Sequence, residues 1–175
     1  LYSSAASDVY KRQYLSGSIP FGLILTKSFG GQDIRKIGSG NIGATNVLRT
    51  GNKFLATTTL ILDMLKGYAP VVITQNYFPE YTQLSALVAF IGHIFPIWIK
   101  FKGGKGVATY LGVLLALSYS LGFLFIFTWV VVSLIFKYSS LSSMFSSLTV
   151  FIVTFFRENA IKAINPDFVY MADIK

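Results

Sequence analysis

Long apolar blocks separated by short polar, glycine-rich connections run along most of the chain, and they are continuous rather than striped at a helical period. That pattern belongs to helices whose solvent is lipid. Crossing about 30 Å of hydrocarbon takes about 20 helical residues. Tyr14 to Phe29 is a short block, Phe54 to Ile73 is full length, and Leu84 to Ile99 is nearly so, entering the interface through Trp98. Val107 to Phe136 is too long for one crossing, since about 30 residues rising ~1.5 Å each reach roughly 45 Å. The Ser118-Tyr119-Ser120 punctuation with Gly122 predicts a break into Val107 to Leu117 and Leu121 to Phe136. Leu141 to Phe155 forms a last, serine-rich span whose small residues suit close packing in lipid. The expected fold is all-α, a polytopic helical bundle of five to six spans.

Charge then gives the bundle a direction. Arg35, Lys36, Arg49 and Lys53 lie in the first connection, Lys100, Lys102 and Lys105 in the third, and Lys137 in the fifth. The connections at Gln75 to Gln83 and at Ser118 to Ser120 carry no Lys or Arg. By the positive-inside rule, the basic connections are expected on the cytoplasmic side. The overall balance is 15 Lys and Arg against 7 Asp and Glu, a formal charge of +8. In a chain that is 53% hydrophobic and 13% charged, this excess points to topology and anionic lipid rather than nucleic acid. With no cysteine, disulfides, thiolate metal sites and a cysteine nucleophile are excluded. The opening LYSSAASDVYKRQ (residues 1–13) has no apolar core of a signal peptide and reads as a non-native leader, so the membrane domain is expected over 14–156.

Candidate chemistry concentrates in the first and third connections. The first contains Gly38, Gly40 and Gly43, which allow backbone N–H groups to converge on an anion, with Ser39, Asn41, Thr45 and Asn46 as neutral donors. Arg49 adds a planar, permanently charged fork suited to phosphate. In the third, Gly103 and Gly104 separate Lys102 from Lys105, which stands just before the helix expected from Val107. A helix N-terminus with glycine and lysine beside it favours anions. Neither connection has P-loop spacing, so nucleotide hydrolysis is not supported. A basic interfacial loop by itself usually reports topology; two on one face, with almost no carboxylate between them beyond Asp33, point to phosphate binding.

Polar residues inside the blocks read more plainly. Asp63 and Lys66 stand three apart on one helical face, a spacing that lets them pair, while Lys66 is also able to snorkel. His93 has no sequence-adjacent carboxylate and reads as a packing or hydrogen-bonding residue ahead of a general base. Ser139, Ser140, Ser142 and Ser143 satisfy backbone carbonyls or face the same basic groove. No catalytic dyad, carboxylate pair or metal-ligand spacing stands out, so metal and cofactor are expected to be absent. An enzyme of this composition needs a substrate that brings its own reactivity. An activated acyl donor fits, because its phosphate leaving group can take the attacking hydroxyl's proton while Lys and Arg stabilise developing charge.

GSIPFG (Gly17 to Gly22), GSGNIGATNVLR (Gly38 to Arg49) and GHIFPIWIKFKGGKGVAT (Gly92 to Thr109), in that order, closely resemble the three signature motifs of the bacterial acyl-phosphate:glycerol-3-phosphate acyltransferases. LDMLKG (Leu62 to Gly67) and YSSLSSM (Tyr138 to Met144) are similar to the same family in order and spacing. The resemblance covers about Tyr14 to Met144. It implies a seven-helix membrane fold around a cytoplasm-facing groove in the bacterial plasma membrane. It also implies acyl transfer from acyl phosphate to the 1-hydroxyl of glycerol 3-phosphate, giving lysophosphatidic acid and inorganic phosphate without a metal. An enzyme that makes acyl phosphate becomes a functional partner. By position, Ser39, Arg49 and Lys105 match the family's catalytic phosphate-binding residues. Gly38, Gly40, Asn41, Gly43, Thr45, Asn46, His93, Lys102, Gly103 and Gly104 are expected around the substrate. Of Ser140 and Ser143, Ser143 is the favoured substrate contact.

The C-terminal part departs from the pattern. FRENAIK (Phe156 to Lys162) is similar to the family's terminal HREN-like motif, with Asn159 in place and Phe156 where His is expected. It follows the serine cluster after room for only one span, so alternation puts it on the outer side. The match therefore reads as accidental, with 157–175 a divergent or truncated end. The competing reading, a small anion or phospholipid transporter, is expected to show inverted repeats and midplane polar residues. No repeat is visible, and Asp63 with Lys66 is the only midspan charge candidate, which argues against that reading.

Overall fold

The computed structural model describes residues 2–29 and 31–164. Among them the chain is helical, with no strand. The helices are α1 (Tyr2–Ser18), α2 (Phe21–Ser28), α3 (Ala44–Val47), α4 (Lys53–Tyr77), α5 (Thr82–Ile94), α6 (Val107–Leu117), α7 (Tyr119–Phe136) and α8 (Ser139–Ile164), joined in places by single 3-10 turns. They form two compact units, Leu1–Gly122 and Phe123–Lys175. Pro79–Ile99, Tyr119–Phe136 and Ser139–Arg157 are long and apolar enough to cross a membrane. At 25 residues α4 also has the length, with Asp63 and Lys66 in its middle.

Proline and serine set most of the breaks. The first apolar block is two helices rather than one span, because Pro20 restricts the residue before it and lacks an N–H. Pro96 likewise stops α5 at Ile94, and the chain continues through a 3-10 turn at Ile97–Ile99. Ser118, extended at φ −162° and ψ 116°, separates α6 from α7 where the punctuation predicted it. Asn52 starts α4 by accepting from the Leu55 N–H at 3.0 Å.

Three expectations shift. Helix α1 runs through the residues read as a leader, and no break falls at Tyr14. Gln13 is buried and its Nε2 donates to Thr74 Oγ1 at 2.9 Å, while Thr74 Oγ1 donates to Ser85 Oγ at 3.0 Å. One polar chain thus ties α1, α4 and α5 at the end away from the basic loops. Helix α8 continues past Phe155 to Ile164, where a divergent or truncated end on the outer side was expected. Asn159 lies on that helix, exposed, its Nδ2 donating to Phe155 O at 2.8 Å. Residues 165–175 lie outside the described residues. Lys66, finally, does not snorkel; its side chain is 3% exposed.

Within the first unit, glycines let helices approach backbone to backbone. Gly17 of α1 packs on the Ala89 backbone of α5, and Gly92 of α5 packs on that of Tyr14. Gly67 of α4 faces the Thr109 carbonyl of α6, and Gly112 of α6 faces that of Met64. Without a hydrophobic force between helices in lipid, such close packing supplies much of the association energy. In the second unit, Ser142, Ser146 and Val150 form a buried stripe at four-residue spacing on α8. Phe136 and Phe145 stack with centroids 6.4 Å apart. A Gly67→Val change therefore forces a side chain into backbone and is expected to destabilise by about 2 kcal/mol or more. Thermal unfolding in detergent checks this against Thr57→Ala on the exposed side of α4, expected to stay within about 0.5 kcal/mol.

Candidate active site

Apolar residues hidden in the first basic loop anchor it. Ile34, Ile42 and Val47 are buried together with Leu23 of α2 and Leu55 and Ala56 of α4. Each buried Ile, Leu or Val side chain among them contributes about 1.5–3 kcal/mol. Ile99, from the third connection, packs against the same cluster, so the two basic loops share one apolar floor.

Asn46 organises the polar side of that loop. It is 2% exposed, and its Nδ2 donates to Ile34 O and Asn41 O, both at 2.8 Å. Its Oδ1 accepts from the Ser39 N–H at 3.2 Å and from Ser39 Oγ at 3.3 Å. The Gly40 N–H donates to Ile37 O at 2.9 Å, and the Gly43 N–H donates to Asn41 Oδ1 at 2.9 Å. The expected cradle of converging N–H groups is thus corrected. At Ser39, Gly40 and Gly43 these donors close the loop on itself. Gly38 and Gly40 are needed for positive φ, 53° and 69°. At Gly38 a side chain would also meet Arg49, with Nη1 2.5 Å and Cδ 2.6 Å from its first carbon. The loop therefore lays the exposed Arg49 across Gly38 beside Ser39. Thr45 is exposed at the start of α3. An open groove of about 490 Å³ runs past Arg49, lined also by Gln32, Ile37, Thr50 and Asn52.

Asp33 is no free acid. Its Oδ1 accepts from the Arg35 backbone N–H at 3.0 Å and from Nε at 2.9 Å, and Oδ2 accepts from Nη2 at 2.5 Å. The guanidinium holds the carboxyl well below the usual carboxylate range. Asp33 and Arg35 thereby neutralise each other, while Arg49 stays exposed on the loop, as do Lys36 and Lys53.

The third connection folds back over the end of α5. The Gly103 N–H donates to Ile94 O at 3.1 Å and the Gly104 N–H to His93 O at 3.2 Å. These donors cap carbonyls that the helix end leaves unpaired, so they too are turned away from any ligand. Lys100 and Phe101 take left-handed φ of 55° and 61°, an unfavourable conformation held by the Phe101 N–H donating to Pro96 O at 2.9 Å. Lys102 and Lys105 remain exposed on either side of the glycines, and α6 begins two residues after Lys105. A second groove, about 410 Å³, has walls from Leu23, Ile24, Trp98 and Ile99, with Lys27 on its lining. Lys27 was missed; its signal was a cation at the end of the first apolar block.

His93 has a carboxylate neighbour after all. It is 3% exposed, and its Nδ1 is 3.1 Å from Thr109 Oγ1 and 3.8 Å from Asp63 Oδ1. Lys66 Nζ lies 2.7 Å from the same Asp63 oxygen, the pairing expected from their spacing, and donates to Ile19 O at 2.6 Å. Ser140 and Ser143 belong to the second unit. Ser143 Oγ donates to Ser140 O at 2.9 Å, the back-bonding arrangement weighed for these serines.

A family model described as glycerol-3-phosphate acyltransferase matches residues 10–173. That range begins inside the residues read as a leader and continues through FRENAIK. The glycerol-3-phosphate acyltransferase of Pelagibacter ubique is 57% identical over 150 residues, 85% of this chain and 78% of that protein. Its counterpart from Mesorhizobium japonicum is 55% identical over 143 residues, 82% of this chain and 73% of that one. Among solved structures, PlsY (YgiH), an integral membrane glycerol 3-phosphate acyltransferase, is similar in its glycerol 3-phosphate form. The TM-score is 0.83 at 37% identity, over 87% of this chain and 78% of that chain. Its lysophosphatidic acid form gives a TM-score of 0.81 at 36% identity, over 87% and 77%.

Asn46→Ala removes the donor to the Ile34 and Asn41 carbonyls and the acceptor of the Ser39 N–H, and is expected to cost about 1–3 kcal/mol locally. Hydrogen–deuterium exchange of residues 38–49 checks this, with faster exchange expected there and unchanged protection in α5.

Proposed function

The chain belongs to the glycerol-3-phosphate acyltransferase family, and from that premise we propose that it uses acyl phosphate as donor. The fatty acyl group passes to the 1-hydroxyl of glycerol 3-phosphate, yielding lysophosphatidic acid and inorganic phosphate. The observation that carries this reading is Arg49 laid across Gly38, next in sequence to Ser39, a cation and a hydroxyl on a loop whose Asp33 is paired with Arg35. Such a site recognises phosphate but has no base of its own.

The substrate supplies what the loop lacks. The 1-hydroxyl oxygen attacks the acyl carbonyl carbon, the carbon–oxygen bond to phosphate breaks, and the departing phosphate carries away the hydroxyl proton. Arg49 and Lys105 stabilise the charge that shifts onto phosphate, and Ser39 orients it. Lys102 and the α6 N-terminus add to the positive field at the third connection. The groove between Leu23, Ile24 and Ile99, with Lys27 on its lining, suits an amphiphile with an apolar tail and an anionic head. Ser140 and Ser143 are assigned to the substrate by position in the family motif alone. The basic loops face the cytoplasm of a bacterial cell by the charge alternation, which is where an acyl-phosphate-producing enzyme delivers its product.

Detergent-solubilised protein supplied with palmitoyl phosphate is expected to release inorganic phosphate only when glycerol 3-phosphate is present. Arg49→Ala is expected to lower that rate about 100-fold or more. Release that ignores glycerol 3-phosphate, or that survives the substitution, overturns the reading.

A further inference from the structure

One buried polar cluster reaches toward both basic loops, and beyond the expected place of His93 around the substrate neither the family match nor the phosphate chemistry assigns it a task. Its centre is the Asp63–Lys66 pair of α4, each side chain 3% exposed. The first arm runs to the first loop. Lys66 Nζ donates to Ile19 O at 2.6 Å, in the break between α1 and α2, and sits 5.6 Å from the Phe21 ring centroid. From there α2 carries the constraint onward, because Gly22 abuts the Ile42 carbonyl of the first loop so closely that a side chain would collide with it.

The second arm runs to the third connection. Asp63 Oδ1 is 3.8 Å from His93 Nδ1, which also meets Thr109 Oγ1 at 3.1 Å. Thr109 is in the first turn of α6, four residues after Lys105. The far side of the same ring faces Gly104, where a side-chain carbon would collide with Nε2. His93 is therefore held from α6 on one edge and has the glycine loop moulded on the other. A charge buried in the bundle is costly unless paired, so the pair cannot shift without both arms shifting.

We propose that Asp63, Lys66, His93 and Thr109 are positioning residues that fix the first basic loop and the Lys102–Lys105 loop in one register, so that Arg49 and Lys105 act on the same phosphate group. His93 in this assignment neither touches substrate nor moves a proton. Its kinetic half rests on the acyl-transfer reading; its structural half does not.

Thr109→Val keeps the shape and removes the hydroxyl, and Thr109→Ser restores the hydroxyl. His93→Asn keeps an amide near the Nδ1 position but removes the ring edge beneath Gly104. Asp63→Asn combined with Lys66→Met removes both buried charges together, which avoids stranding either one. Each is compared with the unaltered protein for amide exchange at residues 42–43 and 103–104, for thermal midpoint, and for kcat and its pH profile. The cluster predicts faster exchange at 103–104 in Thr109→Val and His93→Asn, and at 42–43 in the double variant. It predicts kcat lowered between about tenfold and 100-fold, the range that small misplacement of catalytic groups produces. The pH profile is expected to stay unchanged, and Thr109→Ser to match the unaltered protein. Unchanged exchange at 103–104 in both Thr109→Val and His93→Asn overturns the proposal, as does a lowered thermal midpoint with undiminished kcat. Loss of one limb of the pH profile in His93→Asn also overturns it, since His93 would then carry a proton. If the unaltered protein transfers no acyl group, the acyl-transfer reading fails, and the exchange data alone decide the cluster.

Discussion

A charge inside an apolar helical bundle has few places to go, and Asp63 with Lys66 answers that constraint for this chain. Each oxygen or ammonium that water would otherwise solvate has to find a partner within the bundle. Lys66 finds Asp63 and the Ile19 carbonyl, and Asp63 finds Lys66 with the His93 ring nearby. The break at Pro20 frees backbone carbonyls in the middle of an apolar block, so the ammonium and the broken helix satisfy each other. Pro20 thus sets where α1 ends, and the carbonyl freed there gives the buried Lys66 a second partner beside Asp63.

Glycine does a second job that motif reading assigns differently. A run such as GSGNIG or KGGKG invites the picture of amide groups lining a phosphate. Here the Ser39, Gly40, Gly43, Gly103 and Gly104 N–H groups are occupied by Asn46, Ile37, Asn41 and the last carbonyls of α5. Gly38, Gly103 and Gly104 are required because Arg49, the α5 carbonyls or the His93 ring pass too close for a side chain, and Gly40 because of its positive φ. Rigidity follows from this use: a loop whose amides are internally paired presents its cations from a fixed frame, which lowers the reorganisation needed when charge develops.

What was legible in the sequence was the part governed by local rules. The apolar blocks, the break at Ser118, the Asn- and Gly-rich loops and the Asp63–Lys66 pairing all depend on neighbours within about one helical turn or on bulk hydropathy. The carboxylate beside His93 was not legible, because Asp63 is thirty residues away in sequence and arrives through α4–α5 packing. Nor was the burial of Gln13, whose partner Thr74 lies on another helix. The end of α8 was misplaced for a different reason. Helix propagation needs no apolar side chain, so hydropathy that falls at Arg157 marks the edge of an apolar segment and not the end of the helix. Within the first loop, the polar letters drew attention to chemistry while Ile34, Ile42 and Val47, which hold the loop, were passed over.

The lack of a base in the basic loops becomes intelligible once the charges are followed. A carboxylate placed beside Arg49 would bind it, as Asp33 binds Arg35, and so remove the cation from the substrate. On the proposed acyl-phosphate reading, phosphate as leaving group avoids that difficulty, since its oxygen would sit within reach of the attacking hydroxyl and become more basic as the acyl bond breaks. The protein then needs only fixed positive charge and alignment. Both are properties of a rigid loop on a buried apolar floor, which is what Ile34, Ile42, Val47 and Ile99 build beneath Arg49.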